Sequence, residues 1–551
     1  MAVTAPPTRP AGAATPVAPG RRTVVARAGD LLADPRRVLL VAALIAAFAA
    51  CVDVLHDPDL FWHLRLGQWI LDTHAVPHAE LFSFSAAGNG MTAHEWGSEV
   101  VFALLDRLGG LLTVSLVMAL VAWSALVALA LRARARGAGV VAVAAAVLLG
   151  ARAAEPVLGT RPQVITVALV CWTLLLAERH LARGGRWIWV LPPVVLLWAN
   201  LHGGVVLGLG ALGLLAGLEA VRCVLRRPGC APWGRVVTLG GVLGLAALAG
   251  CVNPNGPGLY RYALATSASE RLKPITEWHS PDFSDPSNVG LLVLLVSFGL
   301  LVALGGRLSL RDLGLAVAGF AAALLAVRNT SLAVALALPG WAAMLQQVIG
   351  RFSAKTAPRG GTETSATSSA ATEIPAKSPA RREAARSDSP RRLGAPQLLA
   401  GAAIIALAGA VSTIAIARAA TDSSPQGVAS TYPACAASTL HGIDGVRLVA
   451  PYYHSGYLIL QLWPQGRVFL YGESASLGTA VFDDYLRTYA GTEQSLTLLD
   501  HHNAIAVLTP QGTLHDRLAA SSTWQKVLDD PMGLTLFTTP QLAAQLRPAH
   551  C

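Results

Sequence analysis

Apolar segments joined by polar connections extend from residue 38 to residue 419, with two longer polar stretches at 56–109 and 350–396. A helix that crosses a bilayer needs about 20 apolar residues. Some segments are shorter, and those with internal Pro, such as Pro192-Pro193, predict kinked helices buried among neighbours. Eleven segments are predicted to span the membrane: 38–55, 110–131, 138–154, 163–178, 187–200, 204–222, 235–252, 288–305, 311–327, 330–348 and 397–419.

The composition supports a membrane protein. Of the 551 residues, 53% are hydrophobic and only 13% are charged, whereas soluble domains carry about 25% charged residues. This composition excludes a purely soluble enzyme and a disordered protein. Seven cysteines without a CxxC pair give no indication of a zinc site.

The net charge of +10 is a topology signal. Residues 1–37 hold six Arg against two Asp, and residues 350–396 hold nine Lys/Arg against four acids. Arginines also cluster at 132–136, 179–186 and 226–227, in alternate connections. Positive charge favours the cytoplasmic side, so we predict a cytoplasmic N-terminus and a C-terminus on the outer side of the membrane. The split basic segments disfavour nucleic acid as a partner.

The predicted domain organisation follows from these segments. The C-terminal part combines β-rich runs at 446–450, 457–462, 468–471, 504–508 and 534–538 with helical patterns at 483–489 and 514–528, which indicates a small α/β domain. Cys435 and Cys551 lie there and could form a disulfide or stay free thiols. The predicted parts are a disordered basic cytoplasmic tail (1–37), a transmembrane bundle (38–349) with an outside loop (56–109), a disordered basic linker (350–396), a last transmembrane helix (397–419) and an extracytoplasmic α/β domain (421–551).

The first outside loop holds the strongest candidate chemistry. Asp57 and Pro58 suit a helix N-cap and first helical position, and Leu60 to Leu71 is typical of a helix in the interface plane. A cap needs only one acid, yet Asp59 and His63 share one helix face. These residues could bind a divalent ion or provide a catalytic carboxylate.

Other polar groups fall in the connections predicted to lie outside. Ionisable groups at membrane depth are costly and usually functional. Because these groups are all predicted to lie on the outer side of the membrane, we expect them to line one cavity. If a metal is present, we expect Asp59, His63 and His94 to hold it. The candidates for substrate binding are His63, His94, Glu95, Arg161, Asn200, His202, Glu277, Trp278, His279, Arg328 and Asn329.

Several runs of this sequence resemble a known family. They are DPDLFWHLRLGQWIL, AHEWGSE, GTRPQ, LWANLHGG, ITEWHSPDF, AVRNTSLAVALALP and HSGYLILQLWPQGRVFLYGESASLG. They are similar to a family of bacterial polytopic membrane proteins with a DPD-(W/F)-W-H loop, and the arrangement resembles the type C glycosyltransferase superfamily. The resemblance covers most of residues 38–551.

The resemblance implies a mainly α fold of about eleven transmembrane helices and an inverting sugar transfer. The donor would be a polyprenyl-phosphate-linked sugar, and the acceptor a glycan, a lipid or a protein at the outer face of the membrane. Asp57 or Asp59 would be the general base, and Arg161, His202 or Arg328 would neutralise the donor phosphate. The His- and Trp-rich loop departs from the usual motif, so the choice of base and any metal requirement stay open.

A non-enzymatic transporter or a scaffold for envelope assembly is the alternative. Transporters commonly show internal repeats and ionisable groups near the membrane midplane. The sequence shows no repeat, and its polar groups gather on one side. This distribution favours an active site over a transport path.

Overall fold

The computed structural model describes residues 32, 34–52, 57–267, 276–356, 395–473 and 477–547. The predicted disorder of residues 1–37 and 350–396 concerns mostly residues outside these ranges, but 35–37, 350–356 and 395–396 are helical, because the neighbouring helices extend beyond their apolar segments. Each of the eleven predicted spans overlaps one of the described helices, while residues at the edges of several spans, such as 138–139 and 250–252, are not helical. The first thirteen helices are α1 (Pro35–Cys51), α2 (Leu60–Thr73), α3 (Trp96–Ala135), α4 (Val140–Ala154), α5 (Gln163–Arg183), α6 (Leu191–Leu201), α7 (Val205–Val224), α8 (Trp233–Ala249), α9 (Gly258–Ser267), α10 (Val289–Ala303), α11 (Leu310–Leu325), α12 (Thr330–Thr356) and α13 (Ala395–Asp422).

Among the described helices, seven are long and apolar enough to cross a bilayer, while α6 and α8 are shorter apolar helices. Large apolar side chains such as Leu248, Leu325 and Leu407 are exposed on the surface of the bundle. Such a surface is costly in water and suits contact with lipid. The chain is a multi-pass membrane protein, and the number of spans stays a prediction.

Helix α3 joins two polar regions at opposite ends of the bundle. Its 40 residues are interrupted at Gly109 and Gly110, where Gly110 has φ 69°, a conformation that glycine adopts without steric cost. At one end, Glu95 directly precedes Trp96, the first residue of the helix. At its other end, the fully buried Arg132 contacts Glu178, Nη2 to Oε1 at 2.7 Å. The structure thus separates this arginine-rich end from the candidate site.

Helix α2 is buried rather than lying on a surface. It packs between α3 and a helix of the C-terminal part, and Phe61, Trp62 and Leu66 are almost fully buried. The helix starts at Leu60, two residues later than an Asp57 cap followed by Pro58 at the first position would give. Asp57 instead accepts the backbone N–H of Asp59 at 2.9 Å.

The C-terminal part is an α/β domain with a five-stranded sheet of order β2-β1-β3-β5-β4. Strands β1 and β2 are parallel, as are β1 and β3, whereas β3–β5 and β4–β5 are antiparallel. The strands are β1 (Val446–Val449), β2 (Gly466–Val468), β3 (Ala506–Pro510), β4 (Gln525–Asp530) and β5 (Leu534–Thr538). The helices are α14 (Pro425–Thr431), α15 (Ala434–Leu440), α16 (Tyr452–Leu462), α17 (Thr479–Tyr489), α18 (Glu493–His501), α19 (Thr513–Ala520) and α20 (Pro540–Ala543).

Two element predictions for this domain are wrong. Residues 457–462 belong to helix α16, not to a strand, because this segment is buried between the sheet and α2 and is therefore apolar on most faces. The helix predicted over 514–528 ends at Ala520, and Gln525–Asp530 forms edge strand β4. Cys435 is in a disulfide, and Cys551 lies outside the described residues.

The domain is joined to the bundle by a continuous hydrophobic core. Buried side chains of the sheet share one cluster with Phe61 and Ile70 of α2 and with Phe82. Ser83 forms a parallel bridge with Val468 of β2. The loop after α2 therefore packs against the sheet of the C-terminal domain. This packing holds the domain against α2.

Candidate active site

A cavity of about 920 Å³ lies between the bundle and the C-terminal domain. It collects most of the polar residues that the sequence predicted to converge. Asp57 lies behind the cavity wall and is 5% exposed. The predicted site residues that line the cavity are Asp59, His63, His94, Glu95, Arg161, His202, Glu277, Trp278, Arg328 and Asn329.

Arg161 forms the centre of an acidic cluster on one wall. Its Nε contacts Asp57 Oδ2, its Nη2 lies 3.2 Å from Asp59 Oδ2, and its Nη1 donates to Glu277 Oε2 at 3.0 Å. Burial raises the pKa of both Asp57 and Asp59, and Arg161 opposes this rise. The two acids are thus held in place by one guanidinium.

Glu95 is the centre of a second cluster. His202 Nε2 lies 3.0 Å and His94 Nε2 3.4 Å from its Oε1, and His63 Nε2 lies 3.6 Å from its Oε2. Burial alone would raise the pKa of Glu95, but His94 and His202 hold it well below its usual value. In turn, burial lowers the pKa of His94, and Glu95 outweighs burial and raises it to about 10. This pair is therefore ionised near neutral pH.

The hydrogen bonds around His202 select one tautomer. The backbone N–H of Gly204 donates to its Nδ1 at 2.9 Å, so Nδ1 is an acceptor and the Nε2 proton faces Glu95. Thr166 Oγ1 lies 2.8 Å from the same Nδ1 and accepts the Trp198 indole N–H at 2.8 Å. These contacts fix the orientation of the His202 ring.

One group of described residues could hold a metal ion: His63, Glu95 and Glu99, whose ligand atoms lie within 4.8 Å of one another. The set predicted from the sequence was Asp59, His63 and His94. Glu99 was missed, although it follows Glu95 by four residues and shares its helix face. It is 2% exposed, and its Oε2 has no hydrogen-bond partner. One imidazole and two carboxylates are a suitable donor set for a divalent ion.

Arg328 faces the cavity from the short helical turn Val327–Asn329. Its guanidinium lies over the Trp278 ring at 4.1 Å from the ring centre, and its Nη1 is 3.7 Å from Glu277 Oε1. Neither contact is a close ion pair. Arg328 therefore has more capacity for an anion than Arg161, which three acids surround.

The C-terminal domain supplies part of the cavity wall. Tyr452, Tyr453, Gly472 and Glu473 line it together with Tyr262 of α9. Burial raises the pKa of Glu473 to about 7, and His94 opposes this rise. Tyr262 is distant in sequence from the domain residues of this wall, and nothing in the sequence indicated that it lies beside them.

Two predicted residues have other places. Asn200 accepts the Trp96 indole N–H at 3.2 Å and donates to Val252 O at 2.8 Å, so it connects helices. His279 is exposed, and its carbonyl accepts the backbone N–H of Val327 at 2.9 Å. Neither residue lines the cavity, and both support elements that do.

The fit between the domain and Asp59 predicts a strong effect of a small substitution. A Cβ at Gly472 would lie 1.9 Å from Asp59 Oδ1 and 2.8 Å from Trp62 Nε1. If Asp59 is the base, as the resemblance implies, Gly472→Ala should displace the carboxylate and lower kcat on the order of 10²-fold, because misplacement of a catalytic group has that effect. The measurement is the sugar transfer that the resemblance implies, assayed with purified protein. Gly217→Ala, where a Cβ meets open space, is the control, and equal activity of both variants would contradict the expectation.

Comparison with known proteins gives a fold but no family. No protein-family model and no curated protein matches the sequence. Among solved structures, the oligosaccharyltransferase AglB from Archaeoglobus fulgidus, in complex with an inhibitory peptide and a dolichol-phosphate, is similar with a TM-score of 0.51 and 12% identity over 92% of this chain and 74% of that chain. ArnT from Cupriavidus metallidurans in the apo state is similar with a TM-score of 0.52 and 15% identity over 93% of this chain and 99% of that chain. The chain has a fold like that of AglB and ArnT, which confirms the predicted mainly α membrane fold with a C-terminal α/β domain.

Proposed function

We propose that the protein transfers a sugar from a polyprenyl-phosphate-linked donor to an envelope acceptor within this cavity. The observation that carries the proposal is the pairing of an accessible carboxylate, Asp59, with a weakly compensated cation, Arg328, on the walls of one cavity. AglB, which is similar in fold, is an oligosaccharyltransferase bound to dolichol-phosphate. A fold alone does not assign a reaction, so the proposal depends on the site.

Asp59 is the general base in this proposal. Its side chain is 15% exposed and lines the cavity, whereas that of Asp57 is 4% exposed and lies behind it. Asp59 takes the proton of the acceptor hydroxyl, and the acceptor oxygen attacks the anomeric carbon. The bond from that carbon to the phosphate oxygen breaks, which inverts the configuration and releases the polyprenyl phosphate. Asp57 positions Arg161 and touches no substrate.

Arg328 is the phosphate-binding residue in this proposal. Arg161 is engaged by Asp57, Asp59 and Glu277, and His202 is engaged by Glu95. An Arg fork is well suited to the oxygens of a phosphate. Among the three candidates from the sequence, Arg328 thus has the greatest capacity for the donor.

An apolar slot beside Arg328 supports a lipid-linked donor. The slot lies between α5, α7 and α12, with His202, Arg328 and Asn329 at its polar end. Its apolar lining includes Val167, Val170, Leu207, Leu332 and Ala335. We propose that the first isoprene unit enters this slot while the phosphate stays at Arg328.

The proposed location is a bacterial plasma membrane with the C-terminal domain and the cavity on the extracytoplasmic side. The arginines at the far end of α3 support this orientation. The proposal includes the domain organisation predicted from the sequence, in which the cytoplasmic tail ends at residue 37, the bundle at 349 and the linker at 396, and the extracytoplasmic domain begins at 421. A divalent ion could additionally be held by His63, Glu95 and Glu99 and would there fix the start of α3, without a step of the transfer assigned to it.

The pH dependence of transfer tests the base. Asp59 works when deprotonated, so activity falls as the pH drops through its pKa in the folded protein. Burial raises that pKa and Glu277 raises it further, so the acid limb of kcat/KM should lie above the value of about 3.9 for an isolated Asp. We expect Glu277→Gln to move this limb to lower pH. A limb that stays in place, or moves to higher pH, would contradict the assignment of Asp59.

The function itself is tested in a deletion strain by mass spectrometry of polyprenyl-linked sugars and envelope glycans. We expect a lipid-linked sugar to accumulate and one glycan modification to disappear. Purified protein should then restore the modification in membranes from that strain, and the Asp59→Asn variant should not. An unchanged lipid and glycan profile would favour the transporter or scaffold.

A further inference from the structure

The guanidinium of Arg161 occupies the place among three carboxylates where a cation is needed. Its three nitrogens are each directed at a different acid: Nε at Asp57, Nη2 at Asp59 and Nη1 at Glu277. Three buried or half-buried acids in one place repel one another, and a central cation removes much of that cost. A divalent metal or a guanidinium could have this role.

The outward oxygens of the same acids also have partners. Asp57 Oδ1 accepts the Asp59 backbone N–H at 2.9 Å, Asp59 Oδ1 accepts the Trp62 indole N–H at 3.0 Å, and Glu277 Oε1 faces Arg328 at 3.7 Å. All six carboxylate oxygens thus face a donor or a cation. A hard divalent ion needs several oxygens directed at it, and the inward oxygens of this cluster are all engaged by the Arg161 guanidinium.

The second cluster provides the contrast within the same molecule. There, Glu99 Oε2 is buried and has no partner, and His63, Glu95 and Glu99 bring ligand atoms within 4.8 Å. The polar group that fits a metal is therefore separate from the one that contains the proposed base.

We propose that Arg161 is a permanent, protein-supplied counter-ion in the Asp57–Asp59–Glu277 cluster, which therefore takes no divalent metal. The inference uses the proposed function only in regarding Asp59 as the base. It implies that the charge around this base is set by the sequence and not by the metal supply. Removal of the guanidinium should turn the cluster into an oxygen-rich site for an ion such as Mn²⁺.

The test is a Mn²⁺ titration of the purified full-length protein, followed by electron paramagnetic resonance of the free ion. All variants carry Glu99→Gln, so that the second cluster does not contribute. We expect Glu99→Gln alone to take up no Mn²⁺ and Arg161→Ala/Glu99→Gln to take up about one ion per chain. Addition of Asp59→Asn to the latter should abolish uptake.

Controls distinguish a change in Mn²⁺ uptake from an effect of misfolding of the variant. Size-exclusion chromatography and thermal unfolding verify each variant, and Arg161→Gln/Glu99→Gln offers a larger neutral side chain if the alanine variant does not fold. Mn²⁺ should raise the Tm of the variants without Arg161 more than that of Glu99→Gln alone. Uptake by Glu99→Gln that disappears with Asp59→Asn would overturn the inference, as would a folded variant without Arg161 that takes up none.

This measurement needs no sugar transfer. Failure of the proposed function leaves the Mn²⁺ titration interpretable, and failure of the titration leaves the transfer assay unaffected. Where transfer is measured, activity of the Glu99→Gln protein should be the same with and without a chelator.

Discussion

Asp59→Asn should lower kcat by about 10²–10⁴-fold, the usual contribution of a general base. The amide is nearly isosteric and still accepts the Trp62 indole N–H that Asp59 Oδ1 accepts at 3.0 Å, so the protein should fold and insert normally. The measurement is initial-rate transfer from a polyprenyl-phosphate-linked sugar, with expression and monodispersity checked in parallel.

Asp57→Asn is the matched comparison for this variant. Asp57 lies behind the cavity wall, and it affects the reaction only through Arg161. We expect a smaller loss of kcat than for Asp59→Asn, together with a lower Tm because a buried charge pair is broken. Full activity of both single variants and of the double variant would show that neither acid is the base.

Arg328→Ala should weaken use of the lipid-linked donor by roughly 10- to 150-fold in kcat/KM. A hydrogen bond to a charged group contributes about 1.5–3 kcal/mol, and about 1.4 kcal/mol corresponds to tenfold. The loss should appear mainly in KM for the donor, while KM for the acceptor stays the same. Arg328→Lys should recover part of the activity, because a lysine keeps the charge but not the fork or the contact with Trp278.

Arg307→Ala is the control for the arginine substitution. Arg307 is exposed and follows α10, whose first residues lie beside the cavity, so it is at the other end of the bundle. This variant should behave as the unmodified protein. If Arg328→Ala also leaves KM for the donor unchanged, the phosphate is bound elsewhere, and His202 becomes the next candidate.

The sequence was sufficient to predict that the polar residues of the site lie close together. Membrane topology determines which connections between helices lie on the same side of the bilayer. Asp59, Arg161 and Arg328 are distant in sequence, but the alternation of apolar segments and arginine-rich connections places them on one side. The pattern also predicted the helical segments, since their apolar length is set by the bilayer. A described helix accounts for most of each of the eleven segments.

The inner arrangement of the site could not be predicted in the same way. Nothing in the sequence shows that Arg161 contacts Asp57, or that the domain leaves Asp59 accessible and Asp57 covered, because both depend on packing between distant elements. Glu99 was missed because residues 56–109 were predicted to be a loop, so its helical spacing from Glu95 could not be used. The residues 457–462 were read as a strand because a buried helix and a buried strand both show short apolar runs.

The contact between the C-terminal domain and the loop that bears Asp59 limits how such proteins can be recombined. Gly456 lies against the Pro58 carbonyl, where a Cβ would come within 2.3 Å, and Gly472 lies against the Asp59 carboxylate. A chimaera that grafts a foreign domain with larger residues at these two positions onto this bundle would lose its alignment with Asp59. Successful exchange would need both glycines to be transferred with the graft, which makes them markers for compatible domains.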